Sequence, residues 1–431
     1  MKTYRYLSLI ILVLAVTGYR LTAQRDIADL RLLLSSEAWE EALGETHRLL
    51  KTDGVNARVW YKGGIAHRNL MRPDSSLYYF QKAAGLDPDN YRFTMALAAA
   101  YTGMNRFTPA KELYAGLILR DSLRLEPYIQ LASLFLRENQ PGKALEIYRE
   151  LSARDTGNYI YYKNIATCYR RMRRDPETIR YLKMAHERNR EDLSINTMLA
   201  ELYIITKNYR EGLEISERGL EVDRTNQELL FYSGFFNYAL GHHLQAIVRL
   251  AHAENAGNES LRVIQFLGVC YYLTGNYEKA RDYLEEAIES GLRDHRVFNY
   301  LGKIYRKMGD YEISEYYFLN SLAVLSPSVS SLTDTYLQLI ETYKSSGDTG
   351  MIVEAYKSAL VYDSDNPYLH YGLAYTLDTR LKDREAALVH YIRFSEIAGP
   401  FLEADADLPS LLDHCNARIR RIREDMFFEN K

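Results

Sequence analysis

The chain has 431 residues, 47% of them hydrophobic and 26% charged, which is ample apolar content for burial and excludes a disordered chain. Its net charge is −3, and without residues 1 to 24, whose only charges are Lys2, Arg5 and Arg20, 51 basic residues stand against 57 acidic ones, so no global basic field favours nucleic acid. Ten prolines and 24 glycines, set at recurring positions, fit a helical array better than a sheet protein.

Residues 1 to 24 read as a secretory signal. Lys2 and Arg5 form its positive start, Leu7 to Val16 is apolar with Ser8 its only polar member, and Leu21-Thr22-Ala23 ends in the small residue a signal peptidase needs. The apolar run is short of the ~20 residues that span a bilayer, so cleavage after Ala23 or Gln24 is expected, with retention as an anchor the alternative. No cysteine lies here to take a lipid. The expected destination is the bacterial periplasm or the outer membrane.

Residues 25–56 are predicted to form an atypical helical pair, with a first helix from Asp26 to Ser35 and a second marked by Trp39 and Ala42. From Ala57 to Ser328 an interval of 34 residues then recurs eight times, starting at 57, 91, 125, 159, 193, 227, 261 and 295. The eighth position is always small: Gly64, Ala98, Ala132, Ala166, Ala200, Gly234, Gly268 and Gly302. The twentieth is small as well, from Ser76 to Ser314. Paired helices approach to ~8–10 Å at such places, where a bulky side chain would force them apart. The eleventh position is aromatic, as at Tyr101, Phe135, Tyr271 and Tyr305, departing at His67 and Asn237, and columns of this kind account for many of the 37 tyrosines.

The stretch from Leu261 to Asp294 shows one interval whole. Ile264, Leu267 and Tyr271 lie on one helical face, Thr274-Gly275-Asn276 breaks the helix, and a second helix from Tyr277 to about Ser290 turns Ala280, Leu284, Ala287 and Ile288 inward. Neither helix could bury its stripe alone, so the pair implies neighbours. Gly241 and Gly309 share the turn position with Gly275, and Asn105 and Asn139 can serve there.

Residues 329–399 hold two divergent intervals. Residues 329–332 exceed the repeat before Thr333 to Asn366, which has Ile340 in the small column; with Pro327 they suggest a bend in the array, or a longer loop without one. The next interval begins at Pro367 and carries one extra residue near Leu381 to Asp383. In 400–431, Leu408, Leu411, Leu412, Cys415, Ile419, Ile422 and Met426 form one stripe of a capping helix, with Asp407 its N-cap and Arg418, Arg420, Arg421 and Arg423 in water.

Ile264, Leu267-Gly268, Tyr271, Ala280 and Leu284 resemble the tetratricopeptide repeat signature, with Leu292 where that family often has proline. Trp60, Gly64, Phe80, Ala83 and Pro88 match it in one flanking interval, and Phe298, Leu301-Gly302, Tyr305 and Phe318 in another. The resemblance implies an all-α, right-handed superhelical solenoid whose first helices line a concave groove through positions 2, 5, 9, 12 and 13 of each repeat. Carried over, these are Lys163, Thr167, Arg170 and Arg171; then Glu228, Phe231, Phe235 and Tyr238; then Gln265 and Tyr272; then Asn299, Lys303, Arg306 and Lys307. An aromatic floor between two basic patches suits an extended or helical peptide bearing acidic residues. A solvated helix end is the plainer reading of Arg170 to Arg174. Lys163 and Asn164 are only a fragment of the family's chaperone-tail clamp, and that function is not carried over.

No catalytic motif accompanies the array. Cys168 and Cys270 occupy the same position three repeats apart, too far for a disulfide, so they and Cys415 are expected to be buried free thiols. His242-His243 sits in a turn without carboxylate or thiol at ligand spacing, and no metal or cofactor is expected. The expected role is a non-catalytic scaffold for protein partners of the cell envelope. A glycan- or substrate-binding module of an outer-membrane complex, or a signal-anchored regulator, are the alternatives.

Overall fold

The computed structural model describes residues 28–324, 329–399 and 408–429. The expected signal at 1–24, Pro327 and the expected cap residue Asp407 lie outside the described residues. Among the described residues the chain is helical and no strand occurs; consecutive helices pack in pairs. The helices gather into two compact units, residues 1–195 and 196–431.

Local chemistry sets where several of the first helices begin. Asn56, Asn158, Asn226, Asp294 and Asn366 accept hydrogen bonds from N–H groups two or three residues on, satisfying donors that have no partner inside the helix. First helices start at Ala57, Tyr91, Glu126, Tyr159, Leu193, Gln227, Leu261 and His295, within one residue of the 34-residue interval. Each first helix is followed by a residue with positive φ at the fifteenth position. Gly241, Gly275 and Gly309 do this at φ 82 to 90, and Asn105 and Asn139 at 58 and 57. Met71, Arg173 and Lys207 adopt the same conformation at φ 56 to 57, although nothing in their side chains favours it.

That conformation costs an L-residue roughly 1–2 kcal/mol, part of which glycine gives back as lost chain entropy. Met71 is 85% exposed, so Met71→Gly removes little packing. The variant is expected to be more stable by roughly 0.5–1 kcal/mol, read as a raised urea midpoint; a lowered midpoint contradicts the strain.

The eighth position is small because of what faces it. A Cβ added to Gly64, Gly234, Gly268 or Gly302 would stand 2.6–2.7 Å from Phe80, Leu250, Leu284 or Phe318 respectively. All four partners are fully buried. Each is the twenty-fourth residue of its interval, so the second helix presses a large side chain onto the backbone of the first.

Two departures from the interval are absorbed within helices. Residues 329–332 form the first turn of the helix Val329–Ser346, so a four-residue excess becomes about one added helical turn rather than a loop. Ile340, in the small column, is fully buried, and the hydroxyl of its partner Tyr356 lies where a Cβ on Gly372 would come within 2.3 Å. The extra residue after Pro367 widens the end of the first helix into a π-turn, Leu377–Leu381, before Lys382 takes the positive φ of 59.

The π-turn carries Asp378, which is 3% exposed. Arg418 Nε donates to its Oδ2 at 2.5 Å and Arg418 Nη2 to its Oδ1 at 2.7 Å, while the Tyr391 hydroxyl lies 3.4 Å from Oδ2. Arg418 therefore does not stand in water as expected; a planar guanidinium meets a planar carboxylate and fastens the helix Leu408–Glu429 to the last repeat. Arg420, Arg421 and Arg423 are exposed. Leu408, Cys415, Ile419 and Ile422 face inward and join a core that contains Tyr391 and Phe394.

Cys168, Cys270 and Cys415 are free and buried. Burial pushes each thiol from 9.0 up to about 12. The folded chain thus keeps protons that the unfolded chain releases above pH 9. Stability that is fully present below that pH is lost as it rises toward 12, by roughly 1.4 kcal/mol per pH unit for each thiol. The urea midpoint is expected to fall between about pH 8 and about pH 10.5, and to fall less when all three cysteines are alanine. Equal slopes for both proteins would show that the thiols do not titrate this way.

Candidate partner-binding groove

In the second unit successive first helices touch one another: Gln227–Ala239 lies against Leu261–Leu273, that helix against His295–Met308, and that one against Val329–Ser346. Each intervening second helix packs between two first helices. A cleft of about 710 Å³ opens between the second helices Tyr209–Val222 and His243–Asn255. The first helices therefore line the inner side of this unit, and the candidate groove runs across them.

Aromatic rings dominate its first half. Phe235 and Tyr238 pack on Phe266 with centroids 5.2 and 5.1 Å apart, and Phe231 lies 6.2 Å from the same ring. Phe231 is buried, whereas Phe235, Tyr238 and Phe266 are half-buried. Tyr272 and Tyr300 continue the run at 5.1 Å, edge to face. Mutual edge-to-face contact holds such rings in one orientation without closing them off.

The polar half is built on the helix His295–Met308. Asp294 caps that helix and gathers two groove residues: Arg296 Nη2 reaches its carboxylate at 2.6 Å, and Gln265 Nε2 at 3.2 Å. Burial works to raise the Asp294 carboxyl, and the hydrogen bonds and charge of Arg296 outweigh it, so the group stays below the usual carboxylate range. Gln265 is buried and committed to this contact, so it does not face the groove as expected. Arg306 donates to the backbone and side-chain oxygens of Gln338 at 3.0 and 2.9 Å, and Asn299 Nδ2 to Thr335 Oγ1 at 3.3 Å. These bonds tie one first helix to the next, and among the described residues the Arg306 charge meets no carboxylate.

Lys303 stands apart from that network. Its Nζ lies 5.7 Å from the centre of the Tyr300 ring and makes no ion pair among the described residues. Burial lowers its pKa, the Arg306 charge adds to the effect, and Asp334 opposes it. A pocket of about 340 Å³, lined by Arg296, Asn299, Lys303, Asp334 and Thr335 among others, opens beside it. Lys307 is exposed on the following turn.

The other basic patch belongs to the first unit and is tied up locally. Lys163 Nζ donates to Asp192 at 2.8 Å and to Ser194 Oγ at 2.5 Å. Arg171 bonds the Leu136 carbonyl, Thr167 Oγ1 bonds the Lys163 carbonyl at 3.0 Å, and Arg170 is half-buried. Sequence positions 2, 5, 9, 12 and 13 missed Phe266 and Tyr300, which complete the shelf. Both are sixth residues of their intervals, and the column Tyr232, Phe266, Tyr300 was the available signal.

Among the described residues no group of three or more His, Cys, Asp or Glu could hold a metal ion, and no helix is long and apolar enough to cross a membrane. The family model for the tetratricopeptide repeat matches residues 262–290, inside the pair read from Leu261 to Asp294. The same pair recurs in register on both sides. The chain carries a tetratricopeptide repeat at residues 262–290. It is similar to part of the anaphase-promoting complex subunit CDC16 of Saccharomyces cerevisiae, at 22% identity over 222 residues, 42% of this chain and 26% of that protein. It is also similar to part of the protein O-mannosyl-transferase TMTC3 of Homo sapiens, at 27% identity over 216 residues, 45% of this chain and 23% of that protein. The match thus spans about a quarter of each curated relative. Among solved structures, the C-terminal part of a tetratricopeptide repeat-containing protein from Cytophaga hutchinsonii is similar at 16% identity, with 57% of this chain and 99% of that one covered and a TM-score of 0.46.

Proposed function

We propose that the chain is a non-catalytic scaffold of the bacterial cell envelope, exported by its N-terminal segment, that holds a partner protein by a segment laid across the first helices of residues 227–307. The observation that carries this reading is the half-buried shelf of Phe235, Tyr238, Phe266, Tyr272 and Tyr300 on the inner side of the second unit, leading to Lys303. Clustered aromatics beside cations are the side chains that carry most binding energy in interfaces. The tetratricopeptide fold supports a protein-interaction role, and the Lys2, Arg5 and Leu7–Val16 pattern supports export.

Phe235→Ala with Tyr238→Ala is expected to weaken capture of the partner from native envelope at least tenfold, with helicity unchanged by circular dichroism. Undiminished capture counts against the groove. Mature protein beginning at Gln24 or Arg25 supports export with cleavage, and protein that keeps Met1 contradicts cleavage.

A further inference from the structure

We propose that the groove selects a partner segment carrying an acidic side chain about two to four residues from an aromatic or large aliphatic one on the same face, with the carboxylate received by Lys303. This rests on the groove reading above and adds the chemistry of its occupant.

Charge in the polar half is unbalanced. Arg296 is neutralised by Asp294, but Lys303, Arg306 and Lys307 share a surface on which Asp334 is the one carboxylate lining the pocket. Arg306 spends its donors on Gln338, an amide, so among the described residues its positive charge meets no carboxylate. Lys303 is partly desolvated and has given up water without gaining an ion pair among the described residues. A carboxylate entering the 340 Å³ pocket would restore what burial took from the ammonium, and a neutral amide would not. Asn299 and Thr335, joined at 3.3 Å on the same wall, offer further polar atoms.

Spacing follows from the repeat. Phe266 and Lys303 stand on adjacent first helices, whose axes are ~8–10 Å apart, and an extended chain advances about 3.3 Å per residue. About three residues therefore span from the Phe235–Phe266–Tyr238 shelf to Lys303, and because successive side chains of an extended chain point to opposite faces, separations of about two or four turn both side chains into the groove. Tyr300, between Tyr272 and Lys303, floors the intervening stretch.

The test uses the full chain and an array of labelled Gly-Ser dodecapeptides, each with one Phe and one Asp at separations of one to six residues, together with the same peptides carrying Asn for Asp. Affinities come from fluorescence polarisation. Binding is expected to peak at separations of about two or four and to be at least tenfold weaker with Asn. Lys303→Gln is expected to remove that Asp preference while the Asn peptides bind as before. Raising salt from about 50 to about 500 mM should weaken only the Asp series. If Asp and Asn peptides bind alike, or if Lys303→Gln leaves the preference intact, the acidic selection is overturned and the groove reading stands. If no peptide binds the folded chain, or if maltohexaose binds and displaces the peptides, the groove reading falls with it.

Discussion

Arg418→Ala is expected to destabilise the chain by about 3 kcal/mol, toward the lower end of what the loss of one partner from a buried ion pair costs. The size of the effect comes from Asp378, whose side chain is 2% exposed and would be left charged without its guanidinium; Arg418 itself keeps 27% exposure, which moderates the loss. Replacing both residues by leucine should cost much less than the two single changes added together, because no charge is then stranded. The pair also sets an acid limit. Hydrogen bonds from Arg418 hold the Asp378 carboxyl below its ordinary 3.8, with burial opposing. Its contribution is therefore complete above about pH 4 and is lost as pH falls through the depressed value. Wild type should lose stability in that range faster than Asp378→Asn, measured by urea unfolding; parallel pH profiles would contradict a buried pair.

Phe318→Ala is expected to cost about 3–5 kcal/mol, and Gly302→Ala about 1–3 kcal/mol. The two are one contact seen from both sides. A Cβ on Gly302 would meet three atoms of the Phe318 ring at 2.7, 2.8 and 2.9 Å, and Phe318 is fully buried. With the ring gone, the added methyl has room and fills part of the cavity, so the double variant should be more stable than the sum of the singles by more than about 1 kcal/mol. Strict additivity in a double-mutant cycle would mean that the small column is not set by the residue opposite it.

The repeat was legible because its signature consists of packing residues. Gly268 and Leu284, or Gly302 and Phe318, must recur in every copy that brings two helices together, and periodicity exposes them. Departures were visible as miscounts, but their resolution was not. Four extra residues before Thr333 nearly equal a helical turn, and one extra residue after Pro367 fits a π-turn; both are backbone solutions that leave no mark on composition. The left-handed turns at Met71, Arg173 and Lys207 were hidden for a different reason, since backbone hydrogen bonds closing the helix end, such as Arg72 N–H to the His67 carbonyl, hold there a conformation that the side chains do not favour.

The candidate residues lie on first helices, yet the structure separates them by what they touch. Phe235 and Tyr238 are half-buried, Phe231 is buried, Gln265 is consumed by Asp294, and Lys303 makes no ion pair among the described residues. A list of helix positions could not distinguish these, because the partner of each side chain comes from the next repeat.

The claim that the inner face of the second unit holds a partner is tested most directly by site-specific photocrosslinking in the native cell. A benzoylphenylalanine in place of Tyr272 should give a discrete adduct with a partner protein, whereas the same probe at Leu319, 48% exposed on the second helix Tyr311–Val324, should give none. An adduct from Leu319 and none from Tyr272 would contradict the account.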